Sequence, residues 1–326
     1  MTIADADVLV IGAGVIGLST AICLAEAGAN VAVAAAELPQ QTTSVAAGAV
    51  WGPHMVGMDE RIARWAEVTR ARLIELCDSG PVAIARMASG IAARREDALA
   101  PPEFAAGDDV TTCEPSEIPA GYRSAWRLTA PVVSMPHYLD YLEQRLGRAG
   151  GKTPFPSRFG SVQDAAREHS SVGVIVNCTG CGARDLVPDP DVTPVRGQVV
   201  VVSNPGITEF FVGTGPADDD LTYLFPHGDT VVLGGTEDAG NWSREPDPGT
   251  AARIVAACSA VRPELCNATV LGHRVGLRPV RSRVRVEAEQ ADGFTIVHNY
   301  GHGGAGVTLS WGCAQDAAEL ALAALP

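Results

Sequence analysis

Apolar positions along this chain follow two rhythms: short unbroken runs of strand length, and stretches that repeat with helical spacing. The run at 8–11 is wholly apolar, as a strand buried on both faces of a parallel sheet must be. It leads through Gly12, Ala13, Gly14, Val15, Ile16 and Gly17 into a predicted helix beginning near Gly14. Ile16, Ala21, Ile22, Leu24 and Ala25 fit one inner face of it. Gly28 ends this helix and 31–33 starts a second strand. Further helices are predicted at 61–77, with Ile62, Trp65, Val68, Leu73, Ile74 and Leu76 inward, and at 136–148, with Tyr138, Tyr141, Leu142 and Leu146 inward. The run 172–176 predicts another buried strand.

Beyond Pro194 the texture changes to strands at 198–203, 209–212, 221–225, 230–233 and 278–286, separated by turn residues. The chain then returns to a strand at 294–297, a glycine turn at 299–304 and a helix at 307–324. The whole pattern predicts an α/β fold, in which a Rossmann-like dinucleotide-binding domain is split in sequence by an inserted, mostly antiparallel β substrate domain. The expected boundaries are 1–55, 130–190 and 287–326 for the first, and 56–129 and 191–286 for the second. A length of 326 residues suits two such domains. The segment 98–121, rich in Pro, Gly, Ala and acidic residues, reads as a long surface connection.

A formal net charge of −14 argues against nucleic acid or an anionic membrane as partner, because phosphates would repel such a surface. The apolar runs are strand-sized, and the first strand begins within a few residues of Met1 with no basic leader. The final Leu325-Pro326 is not a peroxisomal tripeptide, so a cytoplasmic protein is expected. Eight scattered cysteines then read as small core residues. Cys178-Thr-Gly-Cys181 has no second ligand pair, so no metal site is expected.

The Gly12–Gly17 turn carries the first chemistry. Gly12 permits the tight turn, Gly14 lets backbone approach a pyrophosphate, and Gly17 lets the helix lie close on the strand. The helix N-terminus then faces the phosphates with its amides and dipole. An acidic residue at the end of the second strand usually accepts from the adenosine ribose, but Ala34 and Ala35 stand there and Glu37 comes slightly later. No arginine follows that strand to pair a 2′-phosphate, which disfavours NADP.

Seven stretches in order fit one family: 10–18 (VIGAGVIGL), 42–48 (TTSVAAG), 174–180 (VIVNCTG), 196–198 (RGQ), 233–236 (LGGT), 276–281 (GLRPVR) and 298–304 (HNYGHGG). On these the chain resembles the flavin-dependent D-amino acid oxidases, with D-aspartate oxidases as close relatives. The resemblance implies non-covalent FAD. It places Thr42, Thr43 and Ser44 near the diphosphate and ribityl chain, and Ala47, Gly48 and Ala49 as backbone contacts to the flavin. Thr179 and Gly180 fall beside the cofactor, with Ala35 and Glu37 toward the adenosine. Gly303, Gly304, Ala305, Gly306, Val307 and Thr308 form the turn and helix start under the pyrimidine end.

Within the same resemblance, Arg278 grips the substrate carboxylate by its planar fork, Tyr223 joins it, and the Gly304 carbonyl accepts from the amine. The implied reaction needs no catalytic base. Hydride leaves Cα for flavin N5, dioxygen is reduced to hydrogen peroxide, and the imino acid hydrolyses to a 2-oxo acid and ammonia. Small-molecule D-amino acid and dioxygen are the expected partners, and a homodimer is compatible with the pattern. At the pocket edge the chain departs from the family: the lid stretch reads Ala217-Asp-Asp-Asp-Leu221, and Glu237 follows the Gly-Gly-Thr turn. Glu237 should repel an acidic substrate side chain and attract a basic one, whereas His54 follows Pro53 as in the D-aspartate oxidases. Neutral or basic D-amino acids are the expectation. Arg281, Arg283 and Arg285 should face solvent or acidic neighbours. The alternatives are a D-aspartate oxidase, a glycine or sarcosine oxidase-like amine oxidase, a nicotinamide dehydrogenase, and a non-catalytic flavin protein. The second glycine turn opposes the dehydrogenase, and the presence of both Arg278 and Tyr223 opposes the non-catalytic protein.

Overall fold

In the computed structural model, which describes residues 6–102, 110–215 and 221–325, the first apolar run is strand β1 (Val8–Ile11). Helix α1 (Val15–Glu26) follows it, and then β2 (Val31–Ala35) lies parallel to β1 with Val8 opposite Val31. Helix α2 (Glu60–Ser79), β3 (Ala85–Arg94), β4 (Thr111–Thr112), β5 (Ser124–Val133), α3 (Met135–Arg148) and β6 (Phe155–Pro156) come next. They are followed by α4 (Val162–Glu168), β7 (Val174–Asn177), α5 (Ala183–Leu186), β8 (Thr193–Ser203), β9 (Phe210–Thr214), β10 (Thr222–His227) and β11 (Thr230–Gly234). The chain closes with β12 (Asp238–Ala239), α6 (Pro248–Val261), β13 (Val270–Ala291), β14 (Phe294–His302) and α7 (Gly306–Ala323).

One sheet carries all the strands, in the order β4-β5-β3-β9-β10-β11-β8-β13-β14-β7-β1-β2-β6, with β12 set against β8. Its β14-β7-β1-β2-β6 part is parallel. Alternation sorts that part into two cores. Val8, Val10, Val31, Val33, Val174 and Val176 face α1, α2, α3 and α7, while Leu9, Ile11, Ala32, Ala34 and Ile175 face α4 and its neighbours. Burial on both faces explains why these strands carry no polar alternation.

In the other half, β8, β11, β10 and β9 are antiparallel. Val200, Val202, Leu224, Val231 and Leu233 pack on one face with Ile254 and Cys258 of α6. Val199, Val201, Val212, Tyr223 and Phe225 lie on the other. The strand predicted at 278–286 is far longer, 22 residues, because it serves both halves. Its first part pairs with β8 and its last part with β14, and Val280 has a partner in each. Helix α6 was not anticipated, although Asp247 caps it by accepting from the Thr250 amide at 2.7 Å and Pro248 opens its first turn. Residues 217–220 of the acidic lid stretch lie outside the described residues.

Candidate active site

A cavity of about 1020 Å³ runs from the ends of β1 and β2, past α7, to the inner face of β10. Two helices that abut it, α1 and α7, start without a cap from their own N-cap side chain: Gly14 precedes α1 and Ala305 precedes α7. Two sets of first-turn amides therefore border one cavity, the arrangement that favours negative charge at two places along a bound dinucleotide. Along the α1 end, Gly14 has no side chain where a Cβ would stand 3.0 Å from Ser44 Oγ, and the Val15 amide donates to that oxygen at 2.9 Å. Gly12, with φ +116°, takes the left-handed backbone, and a Cβ there would lie 2.4 Å from the Cys178 carbonyl oxygen. The bare Gly12 lets the Cys178 backbone close on the turn, and the bare Gly14 lets Ser44 sit against the start of α1.

Most residues expected to hold the cofactor line this cavity. Gly12, Ala13, Gly14, Val15 and Ile16 do so at one end, and Gly303, Gly304, Gly306, Val307 and Thr308 at the other. Thr42, Thr43, Ser44, Ala47, Gly48, Ala49, Thr179 and Gly180 lie between, with Ala35 and Glu37 at the rim. Gly17 and Ala305 stand apart from the lining. Gly17 does not reach the cavity: a Cβ on it would lie 1.9 Å from the Gly12 carbonyl oxygen, so its work is to seat α1 on the turn. Ala305 is fully buried behind the wall. Glu37 is not free either, because Arg244 pairs with it from the far half of the chain.

Cys178 and Cys181 also line the cavity, but burial pushes both thiols up to about 12, so they stay protonated near neutral pH. All eight cysteines are free.

Arg278 sits where β13 passes from β8 toward β14, opposite Val195. Its Nη1 donates to the Thr236 carbonyl at 2.7 Å. The guanidinium lies against Gly197, where a Cβ would come within 2.7 Å of Nη2. Tyr223 is packed the same way. Cβ atoms on Gly234 and Gly235 would reach its ring at 2.1 and 2.5 Å, and it stacks on Phe225 with centroids 4.9 Å apart. Burial raises the Tyr223 phenol, and the charge of Arg278 works against that rise. The hydroxyl therefore stays a neutral donor beside a fixed cation.

His54 packs over Gly304, where a Cβ would meet the imidazole at 2.6 Å. Its Nε2 lies 2.7 Å from Glu237 Oε1. The two residues expected to act on substrate side chains in opposite senses are thus one pair, with His54 on the cavity and Glu237 behind it. Burial would raise the Glu237 carboxyl, but its hydrogen bond to His54 and the charges of His54 and Arg278 outweigh this and hold it low. Outside the pocket, Arg281 donates to Asp189 at 3.0 Å and Arg285 to Glu287 at 2.6 Å, the acidic neighbours expected of them.

Sequence reasoning missed Gly197, whose only signal was its place in the Arg-Gly-Gln stretch. It also missed Trp242, Arg244 and His302, which line the cavity. His302 is buried, and burial pushes its imidazole down to about 3.

The family model for FAD-dependent oxidoreductases (DAO) matches residues 7–320. The chain is 45% identical to a D-amino-acid oxidase of Rubrobacter xylanophilus over 98% of this chain and 97% of that protein. It is 42% identical to one from Streptomyces coelicolor, covering 97% of each, and 33% identical to human D-aspartate oxidase, covering 97% of this chain and 94% of that one. Among solved structures, the glycine oxidase of Geobacillus kaustophilus superimposes with a TM-score of 0.81 at 18% identity, covering 98% of this chain and 95% of that one. At that identity the likeness concerns the fold.

Proposed function

Because the chain belongs to the DAO family of FAD-dependent oxidoreductases, we propose that it oxidatively deaminates D-amino acids to 2-oxo acids, with Arg278, Tyr223 and Gly304 forming the substrate site. The observation that carries this reading is the fixed pair of Arg278 and Tyr223 on one wall of a cavity already framed by two helix N-termini. FAD supplies the two-electron acceptor chemistry and returns the electrons to dioxygen. The chain supplies binding and orientation.

The free edge of the Arg278 guanidinium offers parallel donors to a carboxylate, while Thr236 occupies Nη1 and fixes the plane. Tyr223 adds a neutral hydroxyl donor. On the other side, the Gly304 carbonyl is the acceptor for a neutral amine, which sets the Cα–H direction. Thr42, Thr43, Ser44 and the first-turn amides of α1 would hold the diphosphate, and the α7 amides would favour negative charge at the pyrimidine end. Domain roles follow this division, with the parallel half holding the cofactor and the β8–β11 half shaping the substrate side.

For the substrate side chain, neutral D-amino acids fit best. A second carboxylate arriving at His54 would meet an imidazole already paired with the Glu237 carboxylate at 2.7 Å. A basic side chain is the second choice, because the Glu237 carboxyl, held low, stands directly behind that imidazole.

Mixing the yellow protein anaerobically with D- and L-amino acids and following bleaching of the flavin absorbance tests the activity. Bleaching by D-alanine or D-methionine and not by their L-forms is expected. Bleaching only by glycine or sarcosine would overturn the substrate class.

A further inference from the structure

Arg196 and Gln198, singled out in the sequence but given no work by the chemistry above, hold a segment that crosses from the substrate half to the cofactor half. Arg196 is buried at 3% exposure on β8. Its Nε donates to the Ser243 carbonyl at 3.0 Å and its Nη2 to the Glu245 carbonyl at 2.7 Å. Gln198 Nε2 donates to the Asp247 carbonyl at 2.8 Å, and Gln198 Oε1 accepts from the Asp247 amide at 2.9 Å. Four hydrogen bonds from two core side chains therefore fix the backbone of 243–247 from beneath.

From that base the segment reaches the cavity rim. Trp242, 47% exposed, and Arg244 both line the cavity at the end bordered by Glu37. Arg244 forms an ion pair with Glu37 and donates from Nη2 to the Gln41 carbonyl at 2.9 Å. In a Rossmann-type half, the acidic position after the second strand marks the adenosine end of the ligand.

We propose that residues 240–247 are a strap latched by the Arg244–Glu37 pair across the adenosine end of the FAD cavity, so that FAD leaves only when this latch opens. Trp242 presents a large apolar face at the same mouth. The pair is too exposed to stabilise the fold much, with side-chain exposures of 39% and 37%. Its effect is on release: it closes a path between two parts of the chain that are each anchored elsewhere. The proposal rests on FAD filling this cavity. Absence of flavin from the purified protein would refute that premise, while a flavin that ignores the latch would refute only the strap.

The test is release of FAD from the holoenzyme, followed by recovery of flavin fluorescence after dilution. Arg244→Gln and Glu37→Gln should each release FAD about three- to tenfold faster. The double variant should be no faster than either single one, because the pair acts as a unit. Raising salt should speed release more in the wild type than in the double variant, since only the wild type has the pair to screen in addition to the contacts on the diphosphate. Arg72→Gln, which removes an unrelated surface pair with Glu75, should release FAD at the wild-type rate. Wild-type release from both single variants, or release from the wild type that salt does not alter, would overturn the proposal. A flat salt series on the wild type would overturn it even if a variant fails to fold.

Discussion

Gly197→Ala is the sharpest test of how the carboxylate site is built, because it removes no functional group. The added Cβ would stand 2.7 Å from Arg278 Nη2 and 2.8 Å from both Cζ and Nη1, whereas ordinary contact begins near 3.4 Å. The guanidinium must therefore retreat by about 0.6 Å or tilt, and the neighbouring 2.7 Å bond to the Thr236 carbonyl resists both. Gly197 lies within β8 and has no positive φ, so alanine costs the backbone nothing there. A displacement of this size in a positioning group lowers catalytic efficiency by about 10- to 100-fold, equivalent to about 1.4–2.7 kcal/mol of transition-state stabilisation. Steady-state oxygen consumption with D-alanine gives kcat/KM, and flavin content per chain, measured on the same preparations, separates a displaced arginine from lost cofactor. Full flavin with kcat/KM within twofold of wild type would refute the idea that Arg278 is held in a single place by the absence of a side chain at 197.

Arg278→Ala should keep FAD and lose D-amino acid turnover by several kcal/mol, since the substrate carboxylate would be desolvated without a partner, and Arg278→Lys should recover only part of it; stopped-flow flavin reduction measures both. Glu237→Gln should leave His54 unmatched and raise activity on D-aspartate relative to D-alanine, whereas an unchanged ratio would remove the pair from substrate selection. Burial lowers His227 to about 4 and His302 to about 3, so the folded state binds fewer protons than the unfolded chain. Their contribution is complete above about pH 6.5 and is lost as pH falls toward 4, about 3 kcal/mol for His227 alone; Tm measured across that window should fall less steeply in His227→Gln than in the wild type. Acid precipitation should free all the flavin into the supernatant, and flavin left on the pellet would show a covalent link.

The parts legible in the sequence are those whose cause is local. The β1–α1–β2 unit follows from an apolar run, fixed glycine spacing and a helical period, all within a short stretch. Helices α2 and α3 were legible because each shows water one face and the core another. Strand β13 was read at under half its length, because only Gly276, Leu277, Val284 and Val286 are buried along it and its outward residues are charged. Strand β3 escaped for a related reason: its inner positions are mostly Ala, which carries little strand signature. Contacts between distant segments were not legible at all. Arg244 meets Glu37 across 207 positions, and Glu237 meets His54 across 183. No spacing rule could have joined either pair.

Strand β13 carries a mechanical consequence. One strand is laced to β8 up to Val280 and regularly to β14 from Arg285, so any rocking of one half of the molecule against the other is confined to the irregular stretch between them. Enzymes that close two lobes on a ligand place a flexible joint between them; here the joint is a single strand whose ladder breaks register only between Val280 and Arg285. Arg278 lies just before that stretch, in register with Val195 of β8. Heat, for its part, should meet a single cooperative body, melting in one calorimetric transition and not in two.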